Sequence, residues 1–319
     1  MNVPESTPVR PSLSRRDFIA SSSAAALALA LPKAFAQAAP AQAPLIDIHM
    51  HQNAGPASAT GGGAQGKKSF PRSMEEFQLH QRNIGAVMTV ILGANDATID
   101  YADREPAKWV CFCRHPVTET DSREKMERAL KKGAIGLGEL KDPVACDSPQ
   151  MQRTAELARE YDVPMLIHFE DGGFNDGFRN FHRMLDKYPT VKFIGHGQTW
   201  WAHINKDHND EDHGYPKGPV TRGGLTDRWL TDYPNLHSDL SANSGNNGIM
   251  RDPAFARDFV IRQQDKILFG SDCPCRTGVG PTCVSANKRV ALDKLQLEPA
   301  VMAKVLRQNA RKLLRLKTA

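Results

Sequence analysis

No apolar run in this 319-residue chain approaches the ~20 residues needed to cross a bilayer, which excludes a multi-span membrane protein. No G-x-G-x-x-G follows the first strand-like segment, which weakens a dinucleotide-binding sheet. Charge of one sign is not gathered anywhere. Lys+Arg number 41 and Asp+Glu 36, a net +5 spread along the chain, so the clustered basic face that nucleic acid requires is missing. Apolar residues at 40% and charged residues at 24% exclude a disordered chain, a collagen or a coiled coil.

The N-terminus reads as a targeting peptide rather than as fold. Ser14-Arg15-Arg16-Asp17-Phe18-Ile19 is a twin-arginine motif. A short, moderately apolar Ala/Leu stretch follows from Ala24 to Leu31, and Ala34-Phe35-Ala36 forms an A-x-A cleavage site. Residues 1–36 are thus expected to be a signal peptide handled by the twin-arginine export machinery, and residues 37–319 a periplasmic domain with no stable membrane anchor. The mature chain keeps 37 basic and 34 acidic residues. A nearly neutral charge favours a small-molecule substrate over a polyanion; self-association is left open.

Six cysteines remain: Cys111, Cys113, Cys146, Cys273, Cys275 and Cys283. Both close pairs are C-x-C, and neither has the C-x-x-C spacing of a structural zinc site. Free buried thiols are expected, with a bridge from Cys273 or Cys275 to Cys283 as the alternative that an oxidising compartment permits.

Eight short β-branched runs alternate with helical patterns. They lie near Leu45–His49, Ala86–Leu92, Trp109–Cys113, Ala134–Gly138, Pro164–His168, Val191–His196, Leu236–Leu240 and Lys266–Ser271. Start and stop signals punctuate the helices: a capping box at Ser73–Glu76, Ser148-Pro149, Asp252-Pro253, and Lys131-Lys132-Gly133 at an end. This alternation predicts an α/β fold of parallel units, a (β/α)₈ TIM barrel with an open doubly wound sheet as runner-up. Long loops are expected after strands 1 and 6, at Gly55–Lys68 and Trp200–Gly224, on the catalytic face.

Reading the strand ends yields the chemistry. The first closes on His49-Met50-His51, the fourth on Gly138-Glu139, the fifth on His168, the sixth on His196 and the eighth on Ser271-Asp272. Side chains alternate along a strand, so His49 and His51 point the same way, into the barrel. Two imidazoles, a third from another strand and a carboxylate form an N/O donor set that suits Zn²⁺ first, with Mn²⁺ or Fe²⁺ also fitting. A divalent ion lowers the pKa of a water it holds, and a nearby carboxylate takes the proton. Arg114 and His115 end the third strand and are candidates to hold an anionic substrate group, and Trp200 is a candidate to wall the pocket. His203, His208 and His213 read as a solvated polar loop rather than a second cluster. His80 sits on an exposed-looking helix with no case for function.

On these residues the chain resembles the amidohydrolase superfamily, and within it the metal-dependent TIM-barrel hydrolases and decarboxylases. The similarity runs from Ile46-Asp47-Ile48-His49-Met50-His51 through Pro164–His168, Gly195-His196-Gly197 and Asp239-Leu240-Ser241 to Phe269-Gly270-Ser271-Asp272 and Asn309-Ala310. The resemblance implies metal ligation by His49, His51, His168 and Asp272, with Asp272 also shuttling the proton. It implies that His196 either binds a second metal or contacts substrate and water. Many binuclear members carry a carboxylated lysine on the fourth strand where this chain has Glu139, so one or two ions remain open, with Glu139 as a candidate bridge. The implied activity is hydrolysis of a lactone, ester or amide. The alternative is non-oxidative decarboxylation of an aromatic or dienoic acid, and a non-catalytic metal- or solute-binding barrel ranks third.

Overall fold

The computed structural model describes residues 43–54, 70–211 and 214–317. The targeting segment, the Gly55–Lys68 loop and His213 lie outside the described residues. Eight parallel strands carry the fold: β1 Leu45–His51, β2 Ala86–Leu92, β3 Trp109–Phe112, β4 Leu137–Leu140, β5 Met165–His168, β6 Phe193–His196, β7 Leu236–Asp239 and β8 Ile267–Leu268. β1, β2 and β3 pair in one arc, and β4 to β8 pair in order in the other. At one seam, Cys113 of the β3 end bridges Leu137 of β4. At the other, Ile48 N–H donates to Phe269 O at 3.1 Å and Asp272 N–H to His49 O at 2.7 Å. A short antiparallel hairpin, Asn53–Ala54 with Phe70–Pro71, flanks the loop after β1.

The helix signals act as their chemistry requires. Ser73 Oγ accepts from Glu76 N–H, and the Glu76 carboxylate accepts from Ser73 N–H, opening the helix Met74–Ile84. Ser148 caps Pro149–Tyr161 and Asp252 caps Pro253–Arg262. The fourth strand differs from expectation. It starts at Leu137 rather than Ala134, because Ala134 N–H still bonds back to Ala129 O at the end of the preceding helix. Glu139 therefore lies inside β4, not beyond it. Trp200 and Trp201 belong to a helical turn, Gln198–Ala202, rather than to the loop that follows.

Strands of this kind are covered on both faces, and β1 is buried from Leu45 to Met50. Its pairing with β2 slips between Asp47 and Met50. Such an irregularity re-aims the side chains beyond it. Ile46 and Ile48 join Val90, Phe112, Leu166, Ile194 and Leu268 in an apolar cluster drawn from six strands, whereas His49 and His51 reach the polar end. Lower apolar packing and upper donor groups thus share one strand.

Gly197, just past β6, lets two strand ends touch. Its φ is +106°, and an added Cβ would lie 2.5 Å from Phe169 O and 2.9 Å from Phe169 N. Both obstacles are backbone, and Phe169 N–H is already bonded to His196 O at 2.8 Å. Gly197→Ala should therefore cost about 2–4 kcal/mol, from a left-handed conformation plus a backbone clash. Urea unfolding of the variant checks this; a loss within about 0.5 kcal/mol of zero would show that the strand ends yield freely.

Candidate metal centre

His49, His51, Glu139, His168, His196 and Asp272 converge at the C-terminal ends of five strands. His49 Nε2 lies 3.3 Å from His51 Nε2. His51 Nε2 lies 3.2 Å from Glu139 Oε2 and 3.5 Å from Asp272 Oδ1. The other Glu139 oxygen, Oε1, is 2.7 Å from His168 Nδ1 and 3.5 Å from His196 Nε2. Asp272 Oδ1 stands 3.8 Å from His49 Nε2, and Oδ2 4.0 Å from His196 Nε2. Glu139 thus turns one oxygen to the β1 side and one to the β5–β6 side.

Asp239, the last residue of β7, and Ser241, two residues further on, decide how these rings present themselves. Sequence reasoning quoted both residues but gave them no role. His49 Nδ1–H donates to Asp239 Oδ2 at 2.7 Å. Ser241 O–H donates to the same oxygen at 2.6 Å, and Ser241 Oγ accepts from His196 Nδ1–H at 2.8 Å. Each ring spends its Nδ1 proton on this pair, so each Nε2 faces the centre. A carboxylate behind a metal-binding imidazole fixes its tautomer and orientation in this way. His49 Nε2 lies 3.3 Å from His51 Nε2 and 3.8 Å from Asp272 Oδ1, and His196 Nε2 lies 4.0 Å from Asp272 Oδ2, spacings that ligands of one ion share once His49 gives up its second proton. A divalent ion fits this donor set.

Burial sharpens the field. Desolvation alone would lower the pKa of His49, but the Asp272, Asp239 and Glu139 carboxylates overcome it and hold that pKa up at about 9. His196 is driven the other way, well below the ordinary range, by burial and by the neighbouring His49 charge. Burial opposes the Glu139 charge, yet the histidines around it, His168 first, keep its pKa well below the ordinary carboxylate value. His168 lies between two carboxylates, with Nε2 3.0 Å from Glu170 Oε2. Despite burial its pKa is raised by Glu139 and Glu170. Ligation by His168 therefore requires it to give up one of those partners.

Three supports sit beneath the centre. Asp47 Oδ1 accepts from Ser271 N–H at 2.8 Å and from His49 N–H at 3.1 Å, tying β1 to the segment after β8. Buried Lys288 donates to Leu240 O, to Ala242 O at 3.1 Å and to Asn246 Oδ1 at 2.9 Å, holding the turn that carries Ser241. Gly270 has no side chain because an added Cβ would stand 2.2 Å from Asp239 Oδ1. A Ser or Asp closing β7, read as the eighth strand's Ser271-Asp272 was read, was the available signal for Asp239.

Other candidates fall elsewhere. Trp200 is fully buried, stacks near Phe169 and donates its Nε1–H to Ser238 Oγ at 2.8 Å, so it packs the core behind β6 rather than walling a pocket. Arg114 donates to Lys141 O at 2.6 Å and pairs with Asp142 at 3.4 Å. His115 pairs with Glu119 at 2.7 Å. Both are spent on local ion pairs. His203, His208 and Asp210 lie together in the loop after β6. His80 is buried, not exposed, and its Nε2 lies 3.2 Å from Ser285 Oγ.

The family model described as amidohydrolase matches residues 46–316, which takes in all eight strands but for Leu45 and every donor described above. The chain belongs to the amidohydrolase family. No curated protein sequence matches it. Among solved structures it is similar to an uncharacterised TIM-barrel protein from Bordetella bronchiseptica, with 16% identity over 86% of this chain and 99% of the other, at TM-score 0.57. It is also similar to a probable 2-pyrone-4,6-dicarboxylic acid hydrolase from Acinetobacter baumannii, with 13% identity over 85% and 99% of the two chains, at TM-score 0.56. A 2,6-dihydroxybenzoate decarboxylase from Rhizobium aligns with 16% identity over 86% and 98%, at TM-score 0.50. These likenesses show the TIM-barrel fold of this amidohydrolase.

Two outcomes follow from the geometry. Asp239→Asn keeps the shape but removes the charge behind His49 and Ser241, and should weaken Mn²⁺ binding about 10–100-fold. Calorimetric titration measures this, with Mn²⁺ chosen because it avoids thiolates; unchanged affinity would mean Asp239 does not orient the donors. In the metal-free protein the raised pKa of His49 is a stabilising contribution below the ordinary imidazole value, fading as pH rises through about 9. Metal binding must release that proton, so Mn²⁺ affinity should rise by about tenfold per pH unit up to about 9 and then level off. A flat profile between pH 7 and 9 would show His49 to be already neutral.

Proposed function

We propose that this amidohydrolase is a metal-dependent hydrolase that opens a lactone, ester or amide bond, acting outside the cytoplasm once its N-terminal segment is removed. The observation that carries this reading is the position of Asp272. Among the carboxylates of the cluster, Glu139 and Asp239 are buried, while the Asp272 side chain is 28% exposed and stands across from His49, His51 and His196. It is the carboxylate that can meet a substrate and still touch the donor set.

A divalent ion held by His49, His51, His196 and Asp272, with Glu139 and His168 beside it, would polarise a carbonyl oxygen and make a held water acidic. The protein residues supply the rest. Asp272 takes a proton from the attacking water at a carboxylate oxygen and returns it to the leaving oxygen or nitrogen as the bond breaks. Its backbone is fixed for this. Asp272 adopts φ +43°, and its N–H is bonded to His49 O. Strain of this kind persists only where neighbours over-determine it. Buried His196, fixed through Ser241, offers Nε2 to the reacting centre. Tyr215, in the loop after β6, is half exposed, and burial with the Asp272 and Glu170 charges raises its pKa.

Asp272→Asn retains an oxygen donor but cannot take the proton. The rate on a confirmed substrate should fall by roughly 10²–10⁴-fold with the fold retained. A panel of lactones, esters, amides and carboxylated aromatic or dienoic acids identifies that substrate. Turnover of an acid with release of carbon dioxide, and of nothing else, would replace the hydrolase reading with the decarboxylase one. Near-native turnover by Asp272→Asn would remove Asp272 from the role.

A further inference from the structure

A second cluster of donors lies one residue beyond Asp272 and plays no part in the proposed reaction. Cys273 and Cys275 follow β8, Cys283 precedes the helix Val284–Lys294, and His80 comes from the helix Met74–Ile84. All four are buried, and one ligand atom from each lies within 4.8 Å of the others. We propose that these residues form a Cys₃His site that binds a structural Zn²⁺ ion and clamps the Asp272-bearing segment onto the helix Met74–Ile84.

Four observations support the site. First, the sulfurs are spaced for a shared ion rather than for a bond. Cys273 Sγ and Cys283 Sγ are 3.6 Å apart, and tetrahedral zinc with Zn–S near 2.3 Å sets its thiolates at about 3.8 Å. Second, His80 Nδ1 is buried with no hydrogen-bond partner, whereas Nε2 lies 3.2 Å from Ser285 Oγ. An imidazole with one nitrogen oriented by a hydroxyl and the other idle suits a ligand better than it suits a core side chain.

Third, Cys275 Sγ accepts from Gly278 N–H at 3.1 Å, the kind of amide contact that stabilises a thiolate. Fourth, Arg72 is buried beside the cluster. It donates to Cys275 O at 2.8 Å and to Cys273 O, and no carboxylate pairs with it among the described residues. A buried guanidinium needs an opposite charge nearby. Three thiolates and a neutral imidazole on a dication carry one net negative charge, which meets that need. Binding releases the three thiol protons to solvent, with no change of oxidation state. The C-x-C spacing that argued against zinc in the sequence is made good by two ligands distant in the chain.

The test uses the full-length protein purified without reductant, stripped with a chelator and reloaded with Co²⁺. The Cys₃His site should give an intense near-ultraviolet thiolate-to-cobalt charge-transfer band, which the imidazole and carboxylate donors of the other centre cannot produce. Cys275→Ser combined with Cys283→Ser should abolish that band, and His80→Gln should weaken it. If the double variant does not fold, the wild-type spectrum still decides. Absence of the band in cobalt-loaded wild type overturns the proposal. So does titration of four thiols rather than six in the unfolded, metal-stripped protein, which would assign a disulfide instead. Neither result depends on the substrate or on Asp272 chemistry, so this site and the proposed reaction stand or fall separately.

Discussion

The Asp239 carboxylate is the constraint on which the centre depends. It is fully buried and takes hydrogen bonds from His49, from the Ser241 hydroxyl and from the Ser241 amide. Burial would push such a group toward neutrality, yet His49 keeps its pKa below the ordinary carboxylate value. A buried anion of this kind is tolerable only when its partners are fixed, because removing any one leaves a desolvated charge uncompensated. In fixing its partners, Asp239 fixes the tautomers of His49 and, through Ser241, His196. The rings cannot rotate their Nε2 atoms away from the centre without breaking the strongest polar contacts beneath it.

That constraint propagates through backbone as much as through side chains. Asp47 bonds the amides of His49 and Ser271. Ala242 N–H bonds Ser271 O, Asp272 N–H bonds His49 O, and Lys288 collects the carbonyls of Leu240 and Ala242. Three strand ends, β1, β7 and β8, are therefore laced together by contacts that involve no donor Nε2 atom. Ala242 and Asp272 both sit at positive φ in this lacing. Non-glycine residues in that region are costly, and here the surrounding bonds hold them there.

Much of this was legible in the sequence because it obeys local rules. Alternation of apolar runs with capped helices predicted eight parallel strands, and histidines closing strands marked the centre. The shift of β4 was not legible, since Ala134 and Ile135 fit a strand by composition while the backbone bond from Ala134 to Ala129 belongs to the helix end. Trp200 misled for a related reason. A large aromatic after a strand end suits a pocket or a core equally, and only tertiary packing against Phe169 and Ser238 separates them. His80 is the clearest case. Its helix is amphipathic and its neighbours Gln78 and Arg82 are polar, so nothing local shows that it faces three cysteines roughly 200 residues away in the chain. Long-range juxtaposition is what one-dimensional patterns do not encode.

The nearness of the two donor clusters gives the chain a reason to keep both. Asp272 and Cys273 are consecutive, so the segment after β8 must satisfy two sets of geometry at once. Among the described residues β8 itself is only two residues long, Ile267–Leu268, and regular pairing cannot position what lies beyond it. The Asp272 backbone is held on one side by His49 O. On the other, Arg72 bonds the Cys273 and Cys275 carbonyls, and the thiols meet the helix Met74–Ile84 at His80. A partly exposed carboxylate on an irregular segment would otherwise be the least fixed member of the centre, although the proposed proton transfer demands that its position be fixed most closely. The polar lacing from β1 and the sulfur-lined packing against that helix act on opposite ends of the same few residues, which is how a strand too short to hold Asp272 can still aim it.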